Sequence, residues 1–259
     1  MARKEYTVEQ KGVGTPDYSP IKPPGQITPG PIYTLSDMGE LAARLGSIVT
    51  FDRRGNIIWM DDFESGLSQW RQVGDRDAEW NGNQAKNGGF CCKLITPAVA
   101  GGSCGIERYI GFPALSPMGF EFSYSDDDTA GVPRSLWILV VLDSGSYRYT
   151  TGIFYDVMNG KLRYTSGNGS LQDIPGGAYY MSTFFPGEFD TLKFVADFTT
   201  AKYKRLLINS QTFDVSALSF QKVALESAPR MSIDIELRTN EAVAAVCYID
   251  DAIVTLNEP

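Results

Sequence analysis

The residues able to do chemistry in this chain are acids, amides and aromatics, because it contains no histidine. Without imidazole there is no Ser-His-Asp or Cys-His nucleophile system and no His-ligated zinc or haem. The nearest approach to a catalytic motif is Ser232-Ile233-Asp234-Ile235-Glu236. Alternate residues of a strand share a face, so acids at every second position would line a cleft. Two carboxyl groups about 5 Å apart there would suit retaining glycoside hydrolysis. Asp234 and Glu236 fit, but Ser232 stands where the nucleophilic carboxylate belongs, and no imidazole is present to activate a serine. A polar strand face is the expectation, with no catalytic residues assigned.

Acid clusters elsewhere raise the question of a metal. Asp126-Asp127-Asp128 follows a strand pattern, and Asp62 and Glu64 would approach Asp250 or Asp251 if the first and last strands pair. Calcium takes such oxygen ligands, although neither cluster has the glycine-punctuated spacing of a dedicated calcium loop. No cofactor is expected. Asp62, Glu64, Asp126, Asp128 and Asp250 are the candidates should a structural calcium ion be bound.

The aromatics suit sugar recognition, since a ring face stacks on a pyranose while neighbouring amides bond its hydroxyls. Trp80 with Asn81 and Asn83 is the first candidate platform, and Tyr179 and Tyr180, after Gly176-Gly177, the second. Trp137 lies in the most apolar run and is expected in the core. Cys91 and Cys92 are adjacent and point to opposite faces of a strand, so four reduced, buried thiols are expected. A bridge from either to Cys104 is the alternative.

The elements that must position these residues are strands. The 259 residues include 26 Gly, 14 Pro, 14 Phe and 13 Tyr, and short apolar runs are cut repeatedly by Gly, Ser, Asn and Asp. Strand patterns cover Phe90–Ile95, Gly105–Ile110, Gly119–Tyr124 and an unbroken apolar run Leu136–Leu142, read as a strand buried on both faces. Ile48–Phe51 and Ile57–Met60 read as a hairpin turning at Arg54-Gly55-Asn56. Tyr147–Met158 and Lys161–Thr165 flank Asn159-Gly160, a two-residue hairpin signal. Leu192, Phe194, Ala196 and Phe198 alternate, and Tyr203–Asn209 returns beside them. Met231–Leu237 and Ala245–Leu256 close the series. Phe120/Phe122/Tyr124 and Leu192/Phe194/Phe198 are expected to face each other across an inter-sheet core.

Ahead of the strands, residues 1–33 hold six of the fourteen prolines and are expected to form an extended arm. Its isolated apolar residues Tyr6, Tyr18, Ile21, Ile27 and Ile32 suit pockets on a partner, which implies other copies of the chain in a homo-oligomer, a trimer for example. Residues 34–46 carry one short helix, with Leu35, Met38, Leu41, Ala42 and Leu45 at helical spacing. The domain proper spans 47–259. A net charge of −8 argues against nucleic acid as a partner. No run approaches the roughly 20 apolar residues that span a bilayer, so no membrane partner is expected. The opening residues have no apolar stretch followed by a small-residue cleavage site, and the chain is read as carrying no secretion signal.

Three segments carry a likeness: Asp61-Asp62-Phe63-Glu64-Ser65-Gly66-Leu67 with Trp70, Phe189–Asp197 with Tyr203 and Leu207-Ile208-Asn209, and Tyr248–Val254. They resemble the opening, middle and closing strands of concanavalin A-like jelly-roll domains. The resemblance implies an all-β fold, an antiparallel jelly-roll β-sandwich behind the Pro-rich arm and helix. Leu41–Ser47 followed by Thr50–Asn56 and the segment Asp61-Asp62-Phe63-Glu64, behind such an arm, is similar to structural proteins of tailed bacteriophages. That likeness implies a non-enzymatic virion structural protein, a capsid decoration or minor structural component. It would be assembled in the host cytoplasm, anchored to a capsid or other virion protein by its arm, and display a lectin-like sandwich. A carbohydrate-binding module or lectin is the alternative, with glycans as partners, and a glycoside hydrolase stands behind it.

Overall fold

A computed structural model describes residues 52–111, 114–127, 132–180 and 187–259. The arm, the helix and the segment Ile48–Phe51 lie outside these residues, as does Asp128. The described residues form strands and turns, and contain no helix. In chain order the strands of the first half are β1 (Asn56–Asp61), β2 (Arg71–Gly74), β3 (Glu79–Asn81), β4 (Cys91–Ile95), β5 (Ser103–Gly111), β6 (Pro117–Asp126), β7 (Arg134–Asp143) and β8 (Tyr147–Asp156). Those of the second are β9 (Lys161–Thr165), β10 (Leu171–Ala178), β11 (Asp190–Asp197), β12 (Lys202–Ile208), β13 (Gln211–Phe213), β14 (Gln221–Ala224), β15 (Arg230–Thr239) and β16 (Val246–Leu256).

They build two eight-stranded antiparallel sheets, an antiparallel jelly-roll sandwich. Sheet A runs β13-β12-β11-β6-β16-β4-β3, with β1 also on β16; sheet B runs β10-β9-β8-β7-β15-β5-β2, with β14 also on β8. The first and last strands do pair, Asn56 opposite Leu256 through Asp61 opposite Ala252.

The period-two pattern explains the core. Phe120, Phe122 and Tyr124 of β6 and Leu192, Phe194 and Ala196 of β11 are buried. These two sets lie side by side in sheet A and not across from each other, with Phe194 in register with Phe120. An inward alternation identifies a face but not which sheet it belongs to. Their opposite layer is Leu136, Ile138, Val140 and Leu142 of β7 with Met231, Ile233, Ile235 and Leu237 of β15, all buried. The apolar run of β7 is thus buried on one face only, and Trp137, Leu139 and Val141 on the other are half-covered. Four residues, Val157 to Gly160, join β8 to β9, since Asp156 pairs with Lys161; the turn is longer than the Asn-Gly signal implies. All four cysteines are free and buried.

Both sheets share one device, a long strand whose edge is divided between two short ones. β14 takes Tyr147–Thr150 of β8, and β9 takes Ile153–Asp156. Gly152 falls in the gap, where a side chain would run into the carbonyl of Ile138. Its own amide and carbonyl are satisfied from the other sheet: the buried Tyr203 hydroxyl lies 3.1 Å from the Gly152 nitrogen, the Gly152 oxygen and the Thr165 oxygen. Tyr203→Phe leaves these buried groups short of a partner and is expected to cost about 1–3 kcal/mol. A lower urea midpoint with unchanged m-value is the readout, and an unaltered midpoint would refute the role.

Candidate functional site

The outer faces of the two sheets differ in what covers them. That of sheet A is roofed by its own chain. Lys193, fully buried, donates from Nζ to the carbonyls of Asp52 (2.8 Å) and Arg54 (3.2 Å) and faces Glu258 at 2.9 Å. Asp52 and Glu121 carboxylates stand 3.6 and 3.8 Å from the same nitrogen. Arg205 pairs with Glu258 and Asp52 and reaches the Pro259 carbonyl at 2.8 Å. This clasp ties residues 52–54 and 258–259 across β11 and β12. On the other half of the face, Lys86 donates from Nζ to Ser123 (2.8 Å) and Thr191 (3.0 Å) and pairs with Asp251 at 3.2 Å.

The outer face of sheet B is different. Strand register stacks its side chains into rows, because directly opposed residues of antiparallel strands point the same way. One row is Arg71, Glu107, Asp234 and Leu139, from β2, β5, β15 and β7. The next is Tyr109, Ser232 and Val141, and beyond it Arg230, Asp143 and Arg148. On the opposite side of the first row lie Glu236, Trp137 and Phe154. Glu107, Tyr109, Val141, Arg148, Arg230, Ser232 and Asp234 line a shallow depression of about 190 Å³.

Its electrostatics follow from these rows. Arg71 forms an ion pair with the buried Glu107. Asp143, fully buried beneath the rim, accepts from Arg148 Nε (2.7 Å) and Nη2 (2.9 Å) and from Arg230 Nε (3.0 Å). The Arg148 bonds foremost hold its pKa down to about 2. Asp234 behaves oppositely. Burial, reinforced by the neighbouring Glu107 and Glu236 charges, raises its pKa to about 7, so it is largely protonated in mildly acidic solution. Tyr109 is 45% exposed at the rim, with the Arg71 guanidinium 5.7 Å from its ring centroid. Arg238 lies 3.8 Å over the Trp137 ring and bonds Glu236 at 2.6 Å, while Phe154 meets the same indole edge-on at 4.5 Å. Trp137 is therefore on this outer face and not in the core: the run around it is apolar on both sides, which hides its direction.

Of the residues singled out in sequence, Ser232, Asp234 and Glu236 do converge here. The two aromatic candidates are elsewhere, and apart. Trp80 belongs to β3 at one edge of sheet A, 48% exposed, stacked on Phe90 at 3.9 Å, with Nε1 donating to the Phe63 carbonyl. Asn81 accepts from the Asn83 amide, closing a turn. Tyr179 and Tyr180 follow β10 at the opposite edge, on sheet B. Tyr180 is exposed, but Tyr179 is buried, its hydroxyl bonded by Asn209 and its carbonyl by Tyr155, which rules it out as a stacking surface.

The acid candidates among the described residues are engaged by the protein. Asp126 is the buried end of β6, paired with Arg134. Glu64 accepts the amides of Gly89 and Phe90, and Asp62 that of Glu64. Asp250 accepts the Lys86 and Asn87 amides, and Asp251 the Asn87 side chain. The cationic charge at this junction is the Lys86 ammonium, and among the described residues no group of three or more His, Cys, Asp or Glu is placed to hold a metal ion. Glu107, Tyr109 and Arg230 carry only faint local marks, an outward Glu-x-Tyr in β5 and an Arg-x-Ser-x-Asp-x-Glu-x-Arg alternation in β15, and Arg148 in β8 carries none.

No protein-family model matches the chain, and neither does any curated protein sequence. Among solved structures it resembles the cellulose-induced protein Cip1 at 12% identity, with a TM-score of 0.53, over 76% of this chain and 96% of that one. The carbohydrate recognition domain of Emp47p aligns at 10% identity and a TM-score of 0.49, over 78% and 97%. A carbohydrate esterase of the Shiga toxin-encoding bacteriophage phi24B aligns at 14% and 0.48, over 79% and 100%. At such identities the likeness to Cip1 is one of fold.

Proposed function

We propose that this chain is a non-catalytic glycan-binding sandwich whose binding surface is the outer face of sheet B. The observation that carries the reading is the asymmetry of the two faces. Among the described residues, sheet A is roofed by the Lys193 clasp and the Lys86 contacts, whereas sheet B leaves open a depression bordered by an exposed tyrosine, guanidinium donors and carboxyl groups. Sugar hydroxyls need donors and acceptors arrayed beside a ring face, and this is what the rows supply. The fold shared with Cip1, a protein named for its induction by cellulose, is in keeping with this reading. A glycan array with the full chain is expected to give binding that Tyr109→Ala weakens about tenfold, the loss of roughly one stacking contact. Unchanged binding by that variant would move the site elsewhere.

A second reading, glycoside hydrolysis, is favoured by one observation: Asp234, mostly protonated below pH about 7, is in register with Glu107. Against it, Glu107 is buried under Arg71 and so poorly placed to attack. Reducing-sugar release from any glycan that binds, abolished by Asp234→Asn, would establish hydrolysis; none is expected.

In its biological setting we place the sandwich on a virion, anchored through the N-terminal arm. The support is the arm's six prolines with interspersed apolar residues and the phage-like junction that follows. Mass spectrometry of purified particles is the test, and absence of the chain from them would refute the placement.

A further inference from the structure

The depression on sheet B is asymmetric in charge, and this selects a ligand. Arg71 and Glu107 cancel as an ion pair. Arg148 and Arg230 share a single carboxylate, Asp143, so the rim keeps one positive charge in surplus. Asp143 occupies Arg148 Nε and Nη2 and Arg230 Nε. Arg148 Nη1 and both terminal nitrogens of Arg230 have no protein acceptor among the described residues. The buried Asp143 fixes the two guanidinium groups beside the depression, so little side-chain entropy remains to be lost when they take a ligand. The space is about 190 Å³, well below the roughly 300–1,000 Å³ of a site that encloses a drug-sized molecule. It suits one residue of a chain lying across the sheet.

We infer that this site selects sugars bearing a carboxylate, with Arg148 and Arg230 binding the carboxylate and Ser232 and Asp234 meeting the ring hydroxyls. The inference rests on the glycan-binding reading of this face and deepens it. A carboxylate on a guanidinium pair makes charge-assisted bonds roughly twice as strong as neutral ones. On a chain of net charge −8, such local excess of positive charge is what an anionic ligand requires.

The same geometry makes the preference depend on pH. Asp234 faces Glu107 and Tyr109 from β5, Arg71 from β2 and Arg148 from β8; its own strand adds Arg230, Glu236 and Arg238, and Asp143 lies beneath the rim. While Asp234 is protonated the surplus stands and its hydroxyl can donate; once ionised, it cancels the surplus and repels an anionic sugar.

The test is calorimetry on the full-length chain with oligogalacturonate, its methyl ester as the neutral counterpart, and sialyllactose beside lactose. At about pH 5.5 at least one acidic sugar is expected to bind tenfold or more tighter than its neutral partner, a preference lost at about pH 8.5. Asp234→Asn is expected to retain the preference at both pH values. Arg230→Gln, which leaves Arg148 on Asp143 to preserve the fold, is expected to abolish it at both. Equal affinity for acidic and neutral sugars, or a preference unaffected by Arg230→Gln, would overturn the inference while leaving glycan binding in place. Absence of binding to these sugars and to every neutral glycan on the array would overturn both.

Discussion

Replacing Lys193 with methionine is expected to destabilise the fold by about 3–5 kcal/mol, the cost of breaking a buried charge pair by removing one partner. The methionine fills similar space, so the loss is electrostatic. Asp52, Glu121 and Glu258 lose the ammonium that faces all three, and the carbonyls of Asp52 and Arg54 lose their donor. Arg205 still reaches Glu258 and Asp52, which keeps the effect from being larger. Chemical denaturation measures it. Lys193→Met combined with Glu258→Gln should cost less than the sum of the single changes, because the second removes a charge that the first leaves uncompensated. Strict additivity, or a single-variant loss below about 1 kcal/mol, would mean that the clasp is only a surface arrangement.

Stability is also expected to peak on the acid side of neutrality, near pH 4–5. Two carboxyl groups, Asp234 and Asp250, have folded-state pKa values raised to about 7 from 3.8. For Asp250 the causes are burial and then the adjoining Asp251 charge, against the Lys86 and Asn87 amides that favour the ion. Between the two values the folded state holds protons that the unfolded chain has released. This stabilisation is complete below about pH 3.8 and is lost as pH rises through 7. Asp143 works in the other direction: its pKa of about 2 supplies stability that is present above 3.8 and disappears as pH falls through 2. Asp250 is fully buried, and a shift of this size corresponds to about 4 kcal/mol between acid and neutral solution. Asp250→Asn keeps a carbonyl acceptor and cannot ionise, so its melting temperature should fall roughly half as far as the wild type's between about pH 5 and 8, the remainder being due to Asp234. A wild-type melting temperature that rises steadily to pH 8 would contradict the assignment.

How much of this could be read in the sequence depended on the range of the interaction involved. The β11–β12 unit was legible because Leu192, Phe194, Ala196 and Phe198 alternate and the chain returns within a few residues, and Leu192 indeed pairs with Ile208. The pairing of first and last strands stands in the sequence only as a condition for Asp62 and Glu64 to approach Asp250 or Asp251, and it is the register of Asn56–Asp61 on Ala252–Leu256 that makes it. The neighbour of β11 was not, because aromatic alternation in β6 looks the same whether that strand lies beside β11 or opposite it. Trp137 was misplaced because Leu136–Leu142 is apolar at every position, and such a run cannot say which side faces water. Short strands such as β2 and β3 carry no pattern of their own and exist only through the partners they add to. The site shows the same limit. Asp234 and Glu236 were visible as a local alternation, but Glu107, Tyr109 and Arg148 join them only through register between strands distant in sequence.

The middle of each sheet is supplied late in the chain. β16 holds together β6, β4 and β1, and β15 joins β5 to β7. A ribosome that has not yet released residues 230–256 therefore carries a polypeptide whose earlier strands include several with an open edge and no permanent neighbour. Such edges recruit one another between chains. Productive maturation then depends on shielding the earlier strands until residues 230–256 have emerged, since the pairings that close both layers join strands far apart in sequence. Expression yield is accordingly expected to respond to temperature and chaperone supply more than to any change on the outer face of sheet B.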